Sequence, residues 1–355
     1  MDLTSVPIKS PFCRLDEITG GFFSSNLIII GSRPSVGKTS FILASIKEMC
    51  LKKTAKPVFF SIEMSEKAFR QRLLAMISGM PLKDIREGKV KDNEEFHQVE
   101  SLISDGTLLI DDSPSLTVIE LFDRATYCVY EENCNIIFID SLEQIRTEEG
   151  KIPVQDQTYI ITKELKTLAR KLNVPVVCTC RLSKRDMKEY SLCDAESVLE
   201  DSDVSILITS ANESLERRHC RRCEFVVVKN RHGTLGKVDA DFYFSNCVFV
   251  ENQRTFDVIS ILDDKSVQKL LKKINSEDLV KAMKNTTETV REKIFSNQTK
   301  YSKEMLMEDI EFMGTIPVED ANNAQKRILE VLRKLEDEGE IIMPSKFPSG
   351  VILVE

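Results

Sequence analysis

Leu27-Ile-Ile-Ile30, Gly31-Ser-Arg-Pro-Ser-Val-Gly37-Lys38-Thr39-Ser40 and Phe41-Ile-Leu-Ala-Ser-Ile46 follow one another without interruption. An apolar run, a turn of small residues and an apolar helical segment predict strand, loop and helix. No other stretch narrows the choice of fold so far. Such a loop surrounds phosphate oxygens with successive backbone N–H groups and sets a helix N-terminus against their charge. Lys38 is placed to reach the β- and γ-phosphates, and the Thr39 hydroxyl to ligate Mg²⁺. Ser32, Arg33, Pro34, Ser35, Val36, Gly37, Lys38, Thr39 and Ser40 are therefore the expected binding loop for ATP. Strict spacing puts Ser32 at the first position of the motif, with Gly31 one residue early.

Further apolar runs recur at Val58–Ser61, Thr107–Ile110, Ile136–Ile139, Val174–Thr179, Val204–Thr209 and Phe225–Val228. Their near-continuous apolar character predicts strands buried on both faces, as in a parallel sheet between helices. Helix starts separate them. Ser65 is placed as a cap, with Met64 and Phe69 as its hydrophobic staple, and Phe69, Leu73, Met76 and Ile77 share a face. Thr117-Val-Ile-Glu120 reads as a capping box with Leu116 and Leu121 as its staple. Ile161, Leu165, Leu168 and Leu172 mark another helical face. Alternation of this kind predicts a doubly wound α/β domain. Two strands end in carboxylates: Asp140 is suited to the Mg²⁺ shell, and Glu63 to orienting an attacking water. Both belong at the carboxyl edge of the sheet, where α/β ligands bind.

Composition excludes several alternatives. A chain of 355 residues, 42% hydrophobic and 30% charged, can bury a sizeable core and divide into more than one domain. No apolar run approaches the roughly 18 residues that span a bilayer, so no membrane insertion is expected. The opening residues lack the pattern of a signal peptide, and the expected location is cytoplasmic. The 10 cysteines are scattered, as reduced thiols serving as small apolar residues would be. Cys220 and Cys223 form one C-x-x-C, but zinc wants four ligands and no second pair follows at finger spacing. That segment reads as an ordinary basic loop. Net charge is −8, so nucleic acid would have to be met by a local patch. The densest is Arg217, Arg218, Arg221 and Arg222, whose other reading is a solvated loop; Arg181 is a further candidate DNA contact.

The first ~250 residues resemble the motor domain of DnaB-type replicative helicases. The carrying segments are Phe12-Cys-Arg-Leu15-Asp16-Glu-Ile-Thr19-Gly20-Gly21, Arg33-Pro34-Ser35-Val-Gly37-Lys38-Thr39 and Phe60-Ser-Ile-Glu63-Met64-Ser65. Asp111-Asp-Ser-Pro114, Leu165-Lys-Thr-Leu-Ala-Arg-Lys-Leu172-Asn-Val-Pro175 and Val228-Lys229-Asn-Arg231-His-Gly233 are similar too. The resemblance implies a RecA-like P-loop NTPase core with a mostly parallel sheet, with ATP and Mg²⁺ as ligands and Glu63 as catalytic glutamate. It implies Arg231 as a finger reaching a neighbouring subunit's γ-phosphate, with Lys229 beside it, hence a homohexameric ring acting on single-stranded DNA. The chain departs from the family at Arg181, where a glutamine is usual, and at Glu143. It departs again in the eroded DNA-loop segment 191–203, and the family's amino-terminal collar is not expected in it. Those departures leave a rival reading open, a non-helicase protein whose assembly ATP regulates. A weaker third is a nucleotide-binding protein that hydrolyses poorly.

The pattern changes near residues 251–256 and becomes almost wholly helical. Ala324, Ile328, Val331, Leu332 and Leu335 form one stripe, and Gly339 sits where a helix would stop. Leu262-Asp263-Asp264-Lys265-Ser-Val-Gln268, Asp278-Leu-Val-Lys-Ala-Met-Lys284 and Met305-Leu-Met-Glu308-Asp309 resemble the C-terminal domain of the flagellar switch protein FliG. The resemblance implies a small all-α domain with Lys284, Glu308 and Asp309 on a charged face toward a flagellar switch or stator-like partner. Tyr301 and Pro317 stand where basic residues are expected, which favours a contact module over a rotor. The expected organisation is residues 1–252, 256–343 and a tail at 344–355.

Overall fold

A computed structural model describes residues 6–89, 94–147, 154–181, 198, 200–210, 220–251 and 256–341. The chain divides into two compact units, Met1–Asn252 and Gln253–Glu355.

The first unit is built on one 9-stranded sheet. In chain order its strands are β1 (Leu27–Ser32), β2 (Pro57–Ser61), β3 (Leu109–Asp111), β5 (Ile136–Asp140), β7 (Val176–Arg181), β8 (Val204–Ser210), β9 (Arg221–Asn230), β10 (Gly236–Tyr243) and β11 (Val248–Glu251). The short β4 (Leu116–Thr117) and β6 (Ile145–Arg146) pair separately. The sheet order is β11-β10-β9-β8-β1-β7-β5-β2-β3. The pairings from β8 to β3 are parallel, while β9, β10 and β11 extend the sheet antiparallel. The apolar runs at β1, β2 and β5 are buried along their whole length, as a sheet covered on both faces requires.

The helices are α1 (Cys13–Thr19), α2 (Lys38–Lys52), α3 (Glu66–Ser78), α4 (Leu82–Arg86), α5 (Glu94–Ser104), α6 (Val118–Tyr130) and α7 (Val154–Leu172). One face of the sheet packs with Phe41 and Ile42 of α2 and Phe69 and Leu73 of α3. The other packs with Leu121 and Ala125 of α6 and Ile161, Leu165 and Leu168 of α7. The caps read from the sequence are present: Ser65 accepts from the Ala68 N–H, and Thr117 and Glu120 form a reciprocal capping box. Phe12 cannot cap α1, so Glu251 at the end of β11 does it, accepting from Arg14 N and Leu15 N at 3.1 Å. The unit's first helix is thus closed by its last strand.

One expectation is corrected here. The basic C-x-x-C segment is not a loop throughout: β9 begins at Arg221, so Arg221 and Arg222 are strand residues, and Cys220 and Cys223 are buried. Burial pushes the Cys223 thiol up to about 12. The described cysteines are free thiols, and no group of three His, Cys, Asp or Glu suited to a metal occurs among the described residues. Strands β10 and β11 were not foreseen, although the buried Val238, Ala240 and Phe242 alternate in sequence with the polar Lys237, Asp239 and Asp241. Arg217, Arg218 and residues 191–197 of the eroded DNA-loop segment lie outside the described residues.

The second unit is helical: α8 (Asp264–Leu271), α9 (Ser276–Lys284), α10 (Glu288–Ser296), α11 (Lys300–Phe312) and α12 (Val318–Asp337), entered through a 3₁₀ turn at Phe256–Ile261. Asp263, Asn275 and Thr299 cap α8, α9 and α11 with side-chain hydrogen bonds. Ala324, Ile328, Leu332 and Leu335 are buried against Val267, Leu279, Met283 and Val290, while Val331 is only partly covered. Gly339 takes φ +71° just past the end of α12. Glu308 and Asp309 are exposed on α11; Lys284, at the end of α9, is half-buried. No described helix of either unit is long and apolar enough to cross a membrane.

Candidate nucleotide-binding site

The parallel strands end level with one another. Ser32 stands across from Arg181 on β7, and Ser61 on β2 across from Asp140 on β5. Beyond β1 the chain turns through the loop and enters α2 at Lys38, with Gly37 at φ +115°. Only glycine adopts that conformation without strain. A side chain there would also collide: a Cβ on Gly37 would sit 2.6 Å from Cζ of Phe249.

Across this edge the expected side chains meet. Thr39 Oγ1 donates to Asp140 Oδ2 at 2.7 Å. Asp140 is 1% exposed, and its other oxygen accepts from the Thr179 hydroxyl on β7. Two hydroxyl donors therefore hold a buried carboxylate in place. The Asp140 carbonyl accepts from Ile62 N at 3.0 Å and Glu63 N at 3.2 Å, which seats the turn carrying Glu63. Lys38 Nζ lies 3.9 Å from Glu63 Oε2, with the lysine largely covered and the glutamate about half exposed. A cation, a hydroxyl and two carboxylates converge on one mouth. Thr39 and Asp140 are hard oxygen donors in contact, which fits Mg²⁺, a cation that completes its shell from phosphate and water.

Arg181 ends β7 at the same edge, and its backbone N–H is bound by the Glu143 carboxylate. Arg221 also belongs here: its Nη1 donates to the Ser35 carbonyl of the loop at 3.0 Å. Arg222, next along β9, stands across from Asp241 on β10.

Arg231 and Lys229 lie elsewhere. β9 runs antiparallel to β8, so its end returns to the amino edge, with Asn230 across from Val204. There Arg231 N donates to Asp203 O, Arg231 Nη1 lies 3.4 Å from Asp203 Oδ1, and Arg231 Nη2 and Lys229 Nζ donate to Glu200 O. Asp203 is 2% exposed; it also accepts from Leu27 N and pairs with Lys166. Burial first, then the neighbouring Arg231, pushes the Lys229 amine below its usual value. The run from Leu27 to Ser32 separates these residues from the phosphate loop by roughly 16 Å of strand. An arginine side chain cannot bridge that within one chain.

Sequence reasoning missed Thr179, Asp203 and Lys166, and it marked Glu143 only as a departure from the family. Thr179 had a signal, a lone hydroxyl inside a buried apolar strand. Asp203 and Lys166 lie far apart in sequence, and only the sheet brings them together.

A mostly parallel sheet with a phosphate loop after its central strand and two carboxylates at its carboxyl edge defines a RecA-like P-loop nucleotide-binding domain. The family model for the DnaB-like helicase C terminal domain matches residues 7–251, and the chain belongs to that family. The model for the FliG C-terminal domain matches residues 250–343, the helical unit. The replicative DNA helicase DnaB of Treponema pallidum is 30% identical over 251 residues, covering 69% of this chain and 56% of that protein. DnaB of Geobacillus stearothermophilus is 30% identical over 274 residues, covering 73% and 59%. The chain thus spans less than two thirds of either relative's length. Among solved structures, a DnaB-like replicative helicase superposes with a TM-score of 0.61 at 23% identity, over 70% of this chain and 62% of that one. That likeness shows the shared fold.

Proposed function

We propose that this chain is an ATP-hydrolysing ring protein of the replicative-helicase type that acts on single-stranded DNA. Its RecA-like unit hydrolyses ATP, and its helical unit makes a protein–protein contact. The observation that carries the reading is the meeting of Thr39, Asp140, Lys38 and Glu63 at one edge of the sheet. The loop N–H groups and Lys38 bind and orient the triphosphate. Thr39 and Asp140 would hold Mg²⁺, which would supply charge neutralisation to the bound triphosphate. Glu63 accepts a proton from, and so orients, a water aimed at the γ-phosphorus.

Completion of the site needs a second copy. Arg231 and Lys229 lie at the far edge, so they serve a neighbour's phosphate, and repetition of that head-to-tail contact closes a ring. A homohexamer is the form the family resemblance implies. The helicase relatives do not favour the alternative of a flagellar or polar assembly protein, and no flagellar partner is proposed. The contact role of the helical unit is supported by α11, where Tyr301, Met305, Met307 and Phe312 are 72%, 46%, 50% and 95% exposed.

The test is phosphate release with and without single-stranded DNA. DNA is expected to stimulate the unmodified chain, and Lys38→Ala to abolish both the basal and the stimulated rates. Absence of stimulation across a range of salt and strand lengths would sink the DNA half of the proposal. Loss-free turnover in Lys38→Ala would sink the rest.

A further inference from the structure

The antiparallel strands β9–β11 meet the phosphate loop at Gly37 and at Ser35. The Phe249 ring of β11 lies against the backbone of Gly37, close enough that a Cβ there would come within 2.8 Å of two ring atoms. Arg221 of β9 donates from Nη1 to the Ser35 carbonyl at 3.0 Å. Between these contacts the loop is held in an unusual shape: Ser35 takes φ +62° and Gly37 φ +115°. A residue with a side chain in the left-handed region is strained and persists only where its surroundings over-determine it. At Ser35 the Arg221 guanidinium is one such restraint.

Alternation along β9 shows that the contact is built into the strand. Cys223, Phe225 and Val227 face the core around α2, and Arg221 continues that series. Val226 faces the opposite core, and Arg222 continues the other series. The two adjacent arginines therefore leave the sheet on different sides, and the side holding α2 also holds the loop.

We infer that Arg221 is a positioning residue of the nucleotide site, pinning the Ser35 carbonyl so that the loop is already shaped for a triphosphate before one arrives. The inference rests on the proposed ATP site and goes further: it assigns to nucleotide binding a residue whose sequence context suggested DNA. A loop that is preshaped loses less freedom on binding, so Arg221 acts on nucleotide affinity and not on the chemical step.

The experiment titrates the full chain with a fluorescent ATP analogue and measures ATP turnover in parallel. Arg221→Ala is expected to raise the nucleotide Kd and the KM about three- to tenfold, with kcat within about twofold of the unmodified chain. Arg221→Lys, which keeps one cationic donor, recovers most of the loss. Arg222→Ala binds nucleotide normally, and single-stranded-DNA affinity at saturating nucleotide is unchanged in Arg221→Ala. A thermal midpoint equal to that of the unmodified chain separates a local effect from general destabilisation; should the alanine variant fail to fold, Arg221→Gln carries the same comparison. Unaltered nucleotide affinity in Arg221→Ala, or lost DNA affinity with nucleotide affinity intact, overturns the inference while leaving the ATP site standing. An unmodified chain that binds no nucleotide brings down both.

Discussion

At the carboxyl edge of the sheet, Thr39, Asp140, Lys38 and Glu63 come together within one chain. At the amino edge, Arg231 and Lys229 sit on the Glu200 carbonyl, with Asp203 bound to Arg231 and Lys166. The first edge gathers acids, hydroxyls and a lysine round an opening in the fold. The second presents cations outward over a buried carboxylate. The difference is what the proposed trans arrangement rests on: the two sets of side chains stand at opposite edges of one sheet. Parallel strands have polarity, and the reversal at β9 is what carries Lys229 and Arg231 to the edge opposite Lys38.

Mixing breaks or confirms that division most directly. Arg231→Ala is expected to lower ATP turnover by about 10³–10⁵, the range of arginine fingers elsewhere. Combined with Lys38→Ala, each variant supplies what the other lacks, and a mixture of two inactive preparations regains part of the rate. If Arg231→Ala turns over ATP normally, or if mixing restores nothing, the two edges do not cooperate across subunits. Next in size is Glu63→Gln at the carboxyl edge. It should cost about 10²–10⁴ in kcat with little change in nucleotide Kd, because a general base acts in the chemical step. An effect on affinity alone would reassign Glu63 to binding.

The smallest effect concerns support of the amino edge. Helix α1 lies under the turn that carries Arg231, where Asn230 Nδ2 donates to Ile18 O. Asp16 in α1 accepts from Ser10 N and Ser10 Oγ, yet burial outweighs those bonds and raises its carboxyl to about 6. The folded state thus holds this proton more tightly than the unfolded chain, whose value is 3.8. The contribution to stability is intact below about pH 4, falls as pH rises to about 6, and is then flat, a change of about 3 kcal/mol. Urea midpoints of the unmodified chain and Asp16→Asn should converge near pH 4 and part by pH 7, with the asparagine variant the more stable. Parallel curves would show that Asp16 carries no such penalty.

Much of this was legible beforehand. The loop at 32–40, the strands ending near Glu63 and Asp140 and the capping box at Thr117 each declare themselves over a few adjacent residues, since phosphate loops, buried strands and helix starts are local patterns. Arg221 was legible as a charge but not as a loop contact, because nothing near it in sequence reveals that β9 begins there and turns its side chain toward α2. Strands β10 and β11 were missed because alternation in Lys237-Val-Asp-Ala-Asp-Phe242 reads weakly beside unbroken apolar runs.

By itself, the sequence determined the chemistry on offer: a lysine and threonine at a helix start, carboxylates closing two apolar strands, and a helical segment after residue 255. Tertiary structure alone decided which of these groups share a place. Residues distant in the chain become neighbours only through strand order and direction, so the meeting of Thr39 with Asp140, the partnership of Asp203 with Lys166, and the remoteness of Arg231 from Lys38 follow from the sheet and not from spacing.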